Sequence, residues 1–464
     1  RRQRQMCIRD RFIGREKELA LLQQDYIGKA AMVYGKRRVG KTTLIQKALK
    51  SSSYRTVYFE CLKGTMQDNI SGFVQELVRA KILPVPLNFG TLQDVFAYLN
   101  ALPEKIVVVI DEYPYLKAMN DSATVDSIFQ NIIDNRLVNI ELILSGSHIG
   151  MMKDALQEKN ALYGRFAVTI KLNELNYLEA AKFYPDKTPY DKAAHYAVFG
   201  GSPFVNQALQ PTATIRENII STILNPMSAV YLYASQLLLS DYSVKINAER
   251  IFSVIGNGKK RYTEIEDKLD VKKTGNLSKQ IKSLIDLEII ARNSPINKIG
   301  DNKKSTFEIN DNLLRFYFTF IYKNASALQV LGAEAFYDEY IAPALTDFIS
   351  RRFEGICRDY FSHQVRSGKM KGVRNIGSYY YDDPAHRKNG EFDVALEFAD
   401  GYEIYEAKYY AQPMTLDEIH REVQQVEAIK ELTVKQIGFI AINGFAEREE
   451  PYLYLDGNDI FANE

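Results

Sequence analysis

Residues 35–42 constrain the fold of this chain more than any other segment, because they read Gly-Lys-Arg-Arg-Val-Gly-Lys-Thr. They match the P-loop pattern G-x-x-x-x-G-K-[ST], whose glycines let backbone N–H groups curl around a phosphate. The apolar run at 30–33 predicts a buried strand, and residues 43–49 predict a helix that points its positive N-terminus at the anion. The alternative is a glycine-rich turn with a solvated lysine, and the flanking strand and helix argue against it.

The P-loop pattern assigns a role to each residue of the segment. Lys41 is predicted to reach the β- and γ-phosphates of ATP, and the hydroxyl of Thr42 is predicted to ligate Mg²⁺. The other predicted nucleotide-binding residues here are Gly35, Lys36, Arg37, Arg38, Val39, Gly40 and Thr43. We therefore expect ATP and Mg²⁺ as cofactors.

A β-branched run at 105–110 is typical of a central strand in a parallel sheet, and it ends in Asp111 and Glu112. Asp111 is predicted to hold the Mg²⁺ through water, and Glu112 to polarise the attacking water. An exposed strand end is the alternative interpretation. Two motifs in this order, each closing an apolar strand, favour the catalytic one.

A third strand, at 140–144, ends in Ser145-Gly146-Ser147. Ser145 and Ser147 are both candidates for sensing the γ-phosphate, with a plain turn as the alternative. Arg165 is a candidate arginine finger, acting within its own chain or from a neighbouring chain of an oligomer. An ordinary surface arginine is the alternative for that position.

Three segments together carry a family resemblance. They are the Phe-Ile-Gly-Arg-Glu stretch at 12–16, the Asp-Glu strand end, and the Gly-Gly-Ser-Pro stretch at 200–203. The chain resembles the archaeal-type ATPases of the AAA+/STAND group. The resemblance implies that residues 14–16 begin a helix near the adenine, and that residues 200–203 lie in a helical lid over the nucleotide.

Length and composition set the broad class. A chain of 464 residues predicts several domains, and a net charge of +1 means that any nucleic-acid site must be a local patch. The three cysteines, Cys7, Cys61 and Cys357, are far apart and odd in number, which supports neither a disulfide framework nor a zinc ribbon. With no membrane-length apolar stretch and no visible signal peptide, we expect a cytoplasmic protein that binds no membrane.

We expect an α/β multidomain architecture. Its predicted parts are a P-loop doubly wound parallel sheet at 11–172, a helical lid at 173–245, a winged helix at 246–322 and an α/β nuclease-like C-terminal domain at 323–464.

The winged-helix prediction depends on apolar periodicity. Helices are expected at 250–255, 263–269 and 274–286, and wing strands at 288–292 and 305–309. The third helix would present Asn276, Lys279 and Lys282 to DNA, as a recognition helix does. Local positive charge comes from Lys259, Lys260, Arg261, Lys272 and Lys273. An interdomain spacer that contacts no DNA is the alternative.

Residues 392–398 and 403–408 alternate in polarity and predict a hairpin. With Asp400-Gly401 as a two-residue loop, Ala395 pairs with Glu406 and Asp393 with Lys408. The period of two then places these four side chains on one face. The carboxylates of Asp393 and Glu406 would converge on Mg²⁺, or Mn²⁺, and Lys408 would orient the attacking water.

This arrangement resembles the PD-(D/E)xK nuclease family, with Asp393 as the first acid and residues 406–408 as the second half. Glu354 resembles that family's additional helical acid and metal ligand, and Gln424 or Gln425 resembles a later helical glutamine. The alternative is a surface salt bridge between Asp393 and Lys408, with Glu406 solvated.

The full layout also resembles archaeal-type ATPases that carry a C-terminal domain of unknown function with a nuclease-like fold. Two functions follow from these patterns. One is an ATP-regulated nuclease acting on DNA or RNA. The other is a nucleotide switch that binds DNA or a protein partner without cleavage.

Overall fold

The computed structural model describes residues 12–240, 248–256, 258–270, 275–383 and 388–462. They form two compact units. The first runs to Leu175 and includes Ser202–Phe204; the second contains Asn176–Gly201 and the chain from Val205 onward. The predicted basic residues Lys272 and Lys273 and the predicted boundary at 245/246 lie outside the described residues. The segments predicted as lid, winged helix and C-terminal domain fall mainly in the second unit.

The first unit is built on a parallel sheet. Its strands are β1 (Ala30–Tyr34), β2 (Arg55–Glu60), β3 (Ile106–Asp111), β4 (Ile140–Gly146) and β5 (Phe166–Lys171). The order is β2-β3-β4-β1-β5, and every neighbouring pair is parallel. β1, β3 and β4 are buried along their full length, as expected for continuous apolar strands in a sheet that is covered on both faces.

Helices cover both faces of this sheet. They are α1 (Glu16–Leu22), α2 (Lys41–Lys50), α3 (Met66–Arg79), α4 (Leu92–Ala101), α5 (Pro114–Met119), α6 (Ser122–Asn135) and α7 (Ile149–Asp154). On one face, α2 packs Leu44 and Ile45 against Val33. On the other, α3 and α4 pack Phe73 and Phe96 into a second core. The predicted parallel α/β sheet is confirmed.

Residues 176–240 are helical, as the periodicity predicts. The segment contains α8 (Tyr177–Ala181), α9 (Pro189–Phe199), α10 (Pro203–Ala208), α11 (Ile215–Asn218), a π-helical turn (Ile219–Ile223) and α12 (Ala229–Ser240). Nowhere in the described ranges is a helix both long enough and apolar enough to cross a membrane.

Three helices and a small antiparallel sheet follow. They are α13 (Ala248–Ile255), α14 (Tyr262–Leu269), α15 (Asn276–Asp286), β6 (Lys260–Arg261), β7 (Ile290–Asn293) and β8 (Thr306–Ile309), with strand order β6-β8-β7. On α15, Leu277, Ile281 and Leu284 are buried, while Lys279 and Lys282 are exposed. One face of α15 therefore packs inward and the opposite face carries the lysines.

The C-terminal part contains a mixed sheet. Its helices are α16 (Asn312–Phe316), α17 (Ala325–Phe336), α18 (Ala342–Arg366), α19 (Leu416–Glu427) and α20 (Gly457–Ile460). Its strands are β9 (Asn375–Asp383), β10 (Lys388–Phe398), β11 (Gly401–Lys408), β12 (Val434–Ala441) and β13 (Leu453–Asp456), in the order β13-β12-β11-β10-β9. The β9-β10-β11 pairs are antiparallel and the β11-β12-β13 pairs are parallel.

The predicted hairpin forms, but its predicted register is wrong by two residues. Phe398 pairs with Gly401, so the loop is Ala399-Asp400. Gly401 has φ 145°, and a Cβ there would lie 2.6 Å from the carbonyl oxygen of Thr433, so this glycine serves the start of β11 and not the turn. A shift of two residues keeps the paired positions of β10 and β11 on matching faces. An irregularity of β10 between Phe392 and Ala395 nevertheless places these two residues in one core cluster, whereas the alternation predicted them on opposite faces.

Candidate nucleotide site and carboxylate cluster

Both P-loop glycines are required by backbone geometry. A Cβ on Gly35 would lie 2.1 Å from the carbonyl oxygen of Leu172, just past the end of β5. Gly40 is the N-cap of α2 and has φ 94°, a conformation that glycine adopts without strain. The loop is thus fixed at one end by a neighbouring strand and at the other by its helix.

Lys41 lies inside the loop that precedes it. Its side chain is buried, and its ammonium donates hydrogen bonds of 3.0 Å to the carbonyl oxygens of Gly35 and Lys36. The lysine is therefore held at the N-terminus of α2, where helix dipole and backbone N–H groups favour an anion.

Thr42 and Asp111 meet at the carboxyl end of β3. The Thr42 hydroxyl donates to the Asp111 carboxylate at 3.3 Å, and both Thr42 and Thr43 are exposed on the first turn of α2. Asp111 also accepts from the backbone N–H of Glu112 at 2.9 Å. A hydroxyl beside a carboxylate is a set of hard oxygen donors, so the residues present fit Mg²⁺.

Tyr58 is a partner of Asp111 that the sequence patterns did not single out. It lies on β2, and its hydroxyl donates to Oδ2 of Asp111, the same oxygen that accepts from Thr42. Burial, together with the neighbouring Asp111 charge, raises the pKa of Tyr58, so the phenol stays protonated and acts as a donor.

Glu112 and Ser147 are brought together by the ends of β3 and β4. Glu112 has φ 49°, and its carboxylate accepts from the backbone N–H of Ser147 at 3.2 Å and from the Ser147 hydroxyl at 2.8 Å. Ser147 therefore orients the predicted water-activating group. Ser147 is thus more than part of a plain turn, because it holds the Glu112 carboxylate. Sensing of the γ-phosphate by Ser147 stays a prediction.

Ser145 occupies a different environment. It is fully buried and pairs with Val33 of β1, on the sheet face that α2 covers. Its hydroxyl has no hydrogen-bond partner among the described residues. A buried hydroxyl beneath the P-loop helix that lacks a partner is consistent with a polar ligand there, and phosphate sensing by Ser145 stays a prediction.

The other basic residues of the loop contact aromatic side chains. Arg37 donates to the hydroxyl of Tyr115 at 3.1 Å. The guanidinium carbon of Arg38 lies 3.7 Å from the centroid of the Phe204 ring. The Ser202 hydroxyl donates to the carbonyl oxygen of Arg38 at 3.3 Å. The 202–204 stretch thus lies against the P-loop, close to where the resemblance implies it should be.

The 12–16 stretch also packs against the loop. α1 begins at Glu16, as predicted, and Arg15 before it is buried with φ 71°. Its guanidinium donates to the carbonyl oxygen of Asn173 and lies 3.5 Å from that of Val39, which is itself buried. Arg15 therefore ties the start of α1 to the P-loop and to the residues after β5.

The structure contradicts an arginine finger that acts within its own chain. β5 runs parallel to β1, and Phe166 pairs with Ala30 at the start of β1, whereas the P-loop follows the end of that strand. The two ends of such a five-residue strand are roughly 13 Å apart. Arg165 instead forms a bidentate ion pair of 3.0 Å with Asp134. Action on a neighbouring chain stays a prediction.

In the C-terminal sheet, Asp393 and Glu406 lie on the same face of β10 and β11. Asp393 accepts from the backbone N–H of Ala407 at 3.4 Å. Burial, and then the charges of Glu406 and Glu354, raise the pKa of Asp393 well above its ordinary value. Burial, with Glu422 and Glu354, raises the pKa of Glu406 to about 7 although Lys408 opposes the shift. The charge of Glu354 therefore acts on both Asp393 and Glu406, and the charge of Glu406 acts on Asp393.

Two carboxylates compete for Lys408. Its ammonium lies 2.6 Å from Glu406 and 3.0 Å from Glu422 of α19. Burial lowers the pKa of Lys408, but these two carboxylates outweigh it and raise the pKa overall. Lys408 pairs with them and not with Asp393, so the surface-salt-bridge alternative is wrong. Sequence reasoning missed Glu422.

The predicted helical glutamines lie elsewhere. Gln424 is exposed, and Gln425 donates to the hydroxyl of Tyr381 at 2.7 Å. The helical position that reaches the cluster is instead Glu422, on the same helix.

Glu354 is also paired with cations. It lies 3.3 Å from the ammonium of Lys259 and 3.8 Å from the guanidinium of Arg358. Within the described ranges, no group of three or more His, Cys, Asp or Glu side chains is spaced to hold a metal ion. The lysine-paired arrangement is thus the one observed, and the metal-ligand roles of Glu354, Asp393 and Glu406 stay predictions.

Two family models match parts of the chain. Residues 12–205 match one described as an ATPase domain predominantly from Archaea, and this part contains the P-loop and the Asp-Glu strand end. Residues 317–423 match one described as archaeal and bacterial proteins of unknown function, and this part contains Glu354, Asp393 and Glu406.

Individual proteins are also similar. An uncharacterized protein of Methanocaldococcus jannaschii is 27% identical over 367 residues, which are 77% of this chain and 79% of that protein. The solved Walker-type ATPase of Pyrococcus abyssi aligns at 18% identity over 66% of this chain and 96% of its own, with a TM-score of 0.50. The ORC2 protein of Aeropyrum pernix aligns at 12% identity over 70% and 97%, with a TM-score of 0.48. The N-terminal part of this chain is an archaeal-type P-loop ATPase domain.

Proposed function

We propose that this protein binds and hydrolyses ATP at the P-loop. The observation that carries the proposal is the convergence of Lys41, Thr42, Asp111 and Glu112 at the carboxyl ends of β1 and β3. Magnesium, when bound, would supply charge neutralisation and a Lewis acid at the phosphates. Thr42 and Asp111 would hold it, and Lys41 would contact the β- and γ-phosphates.

Glu112 is the group that orients and polarises the attacking water in this proposal. Its carboxylate is held by the N–H and hydroxyl of Ser147, so its direction is set before the nucleotide arrives. Such preorganisation is what a general base needs. Arg165 lies near the opposite end of the sheet, so a finger role for it requires a second copy of the chain.

For the C-terminal part, our proposal is a metal-dependent nuclease-like site acting on DNA or RNA. The closeness of Asp393, Glu406 and Glu354 supports it, because Glu406 and Glu354 raise the pKa of Asp393 and a bound divalent cation would offset that repulsion. Mg²⁺ or Mn²⁺, when bound, would activate water toward a phosphodiester. Asp393 and Glu406 would hold the cation, with Glu354 contributing from α18, and Lys408 would position the water.

A second function has its own supporting observation. Lys408 and Lys259 already neutralise Glu406 and Glu354. A cluster satisfied by lysines fits a nucleotide switch that binds DNA or a protein partner without cutting. The two functions share the ATP site and differ only in the C-terminal site.

Residues 248–309 are part of the same proposal, as a winged helix. The elements run in the order α13, β6, α14, α15, β7 and β8, which is the order of that motif, and α15 exposes Lys279 and Lys282. These lysines would meet phosphates of a duplex.

Cleavage distinguishes the two functions. Purified protein is incubated with plasmid and Mg²⁺ or Mn²⁺, with and without ATP. If the nuclease-like site is active, metal-dependent nicking appears, Asp393→Ala abolishes it and ATP hydrolysis is unchanged. Lys408→Ala should keep metal binding and lose cleavage.

The matched control is Asp400→Ala, which removes an exposed acid from the loop of the same hairpin. It should cut like the wild type. If the wild type shows no metal-dependent cutting of any nucleic acid, with or without ATP, the nuclease proposal is wrong. The nucleotide switch that binds without cleavage then becomes the proposed function.

A further inference from the structure

A cavity of about 190 Å³ opens in the second unit beside α18. Its lining includes three arginines, Arg315, Arg351 and Arg352, and one carboxylate, Asp347. A water takes up about 30 Å³ in the liquid, so the space accommodates a small oxyanion with several waters. None of the residues discussed at the ATP site or in the carboxylate cluster lines it.

Arg315 carries charge that its surroundings do not fully satisfy. Its side chain is 6% exposed, its Nη2 donates to the carbonyl oxygen of Ile309, and Nη2 lies 3.2 Å from Glu308. Its Nε and Nη1 are buried and have no hydrogen-bond partner in the described part of the chain. Buried donors are normally paired, so this guanidinium adds positive potential at the cavity wall.

The single negative charge of Glu308 does not balance the two arginines that pair with it. It also accepts from Arg352 at 3.0 Å. Burial opposes its ionisation, but Arg352 and Lys259 outweigh burial and lower its pKa. Glu308 thus pairs with both Arg315 and Arg352, whereas Lys259 has its own ion pair with Glu354. One carboxylate between two guanidinium groups leaves positive charge in excess beside the cavity.

Arg351 stands at the open side of the cavity. It is exposed, and a Cβ on Gly258 would lie 2.9 Å from its Nη1. Gly258 has φ 114°, so glycine there permits both the backbone conformation and the approach of the guanidinium. Asp347, one helical turn earlier on α18, is the carboxylate that opposes an incoming anion.

We propose that this cavity binds a phosphate-class oxyanion, with Arg351 contacting the ligand and Arg315 and Arg352 supplying the field behind it. Guanidinium groups match the oxygen geometry of phosphate and stay charged at every physiological pH. The phosphate belongs to a free anion or to a nucleic-acid backbone. The backbone source rests on the proposed nucleic-acid function; the free anion does not.

Binding is measured by titration calorimetry of the full chain with inorganic phosphate. The chain carries Lys41→Ala, so that the P-loop does not take up the ligand. Adding Arg351→Ala should weaken phosphate about tenfold, because it removes a charge-assisted hydrogen bond. Asp347→Asn should tighten it several-fold by removing like charge. Arg366→Ala, in the last turn of α18 and roughly 22 Å along the helix from Arg351, is the control and should change nothing.

The source is identified with a labelled single-stranded oligonucleotide in the same variants, read by fluorescence anisotropy. Loss of affinity for both ligands in Arg351→Ala assigns the cavity to a nucleic-acid backbone. Loss for phosphate alone assigns it to a free anion. If neither ligand loses affinity, the proposal is overturned. Neither measurement uses ATP hydrolysis or cleavage, so this failure is distinct from failure of the proposed function.

Discussion

The P-loop site and the C-terminal carboxylate cluster differ in how their charged groups are assembled. In the P-loop site, one segment of eight residues supplies the loop and its lysine, and one strand end supplies both acids. In the cluster, the acids come from α18, β10, β11 and α19, and one of the lysines comes from the turn before β6. The first site is specified locally, and the second depends on tertiary packing.

The two regions also balance charge in different ways. Lys41 donates to two backbone carbonyl oxygens of its own loop. Lys408 and Lys259 instead meet carboxylates. A carboxylate held in such an ion pair must release its lysine before it binds a metal.

The largest effect is expected from Lys41→Ala. It removes the charge that meets the phosphates, so ATP binding should fall below detection in calorimetry. Lys50→Ala, an exposed lysine at the end of the same helix, should bind ATP normally. Unchanged ATP affinity in Lys41→Ala would show that the P-loop assignment is wrong. The comparison between the P-loop site and the carboxylate cluster would then fail.

Glu112→Gln should separate binding from hydrolysis. The metal-side groups remain, so ATP affinity is kept, while loss of the base should slow kcat about 100-fold or more. Glu60→Gln, at the end of the neighbouring strand β2, is the control and should keep most activity. Full turnover in Glu112→Gln would move the catalytic role to another residue.

The double variant Lys279→Ala/Lys282→Ala tests whether the second unit meets nucleic acid through α15. Duplex affinity should fall across all sequences, and the slope of log K against log salt should shrink by about one per lysine. Lys268→Ala on α14 is a control for the loss of an exposed lysine from a neighbouring helix. If the affinity for duplex DNA is the same in the double variant as in the wild type, residues 248–309 act as an interdomain spacer and do not contact DNA.

The smallest expected effect is a pH dependence from the cluster. The pKa of Glu406 is raised from 4.5 to about 7, so the folded state binds more protons between these values. The free energy of unfolding should therefore fall as pH rises from about 4.5 to about 7. The raised pKa of Asp393 contributes a slope of the same sign, so Glu406→Gln should make the slope shallower and not abolish it, by about 1.4 kcal/mol for each unit of the Glu406 pKa difference.

Urea unfolding of both proteins in chelator, at several pH values, measures that slope. Asp400→Asn is the control, because its pKa is lowered and its contribution changes only below the 4.5–7 window. A slope that is unchanged in Glu406→Gln would show that Glu406 is not the titrating group.

Local patterns predicted the P-loop region well, because its determinants are contiguous. The strand predicted at 30–33 is Ala30–Tyr34, and the helix predicted from residue 43 begins at Lys41. The Asp-Glu strand end lies where the β-branched run placed it. In each case the pattern of apolar residues and the motif that identify the element lie within about ten residues of each other.

The missed features depend on contacts between distant segments. The predicted hairpin register was wrong because Gly401 is required by its close approach to the carbonyl oxygen of Thr433 and not by the turn. Tyr58 reaches Asp111 because β2 lies beside β3, and Glu422 reaches Lys408 because of how α19 packs. Strand order and helix orientation cannot be predicted from the periodicity of apolar residues, so the sequence patterns did not indicate these contacts.

The hydrogen bonds of Lys41 make nucleotide binding an exchange and not a simple addition. Before any ligand arrives, the ammonium already has two carbonyl acceptors in its own loop. An incoming phosphate must offer more than the bonds it displaces. A polyphosphate, with oxygens on successive phosphorus atoms, can do so along the whole loop, whereas a lone anion replaces little beyond what it removes. At the proposed ATP site, these bonds would therefore favour a polyphosphate over a single phosphate, independently of any contact with adenine.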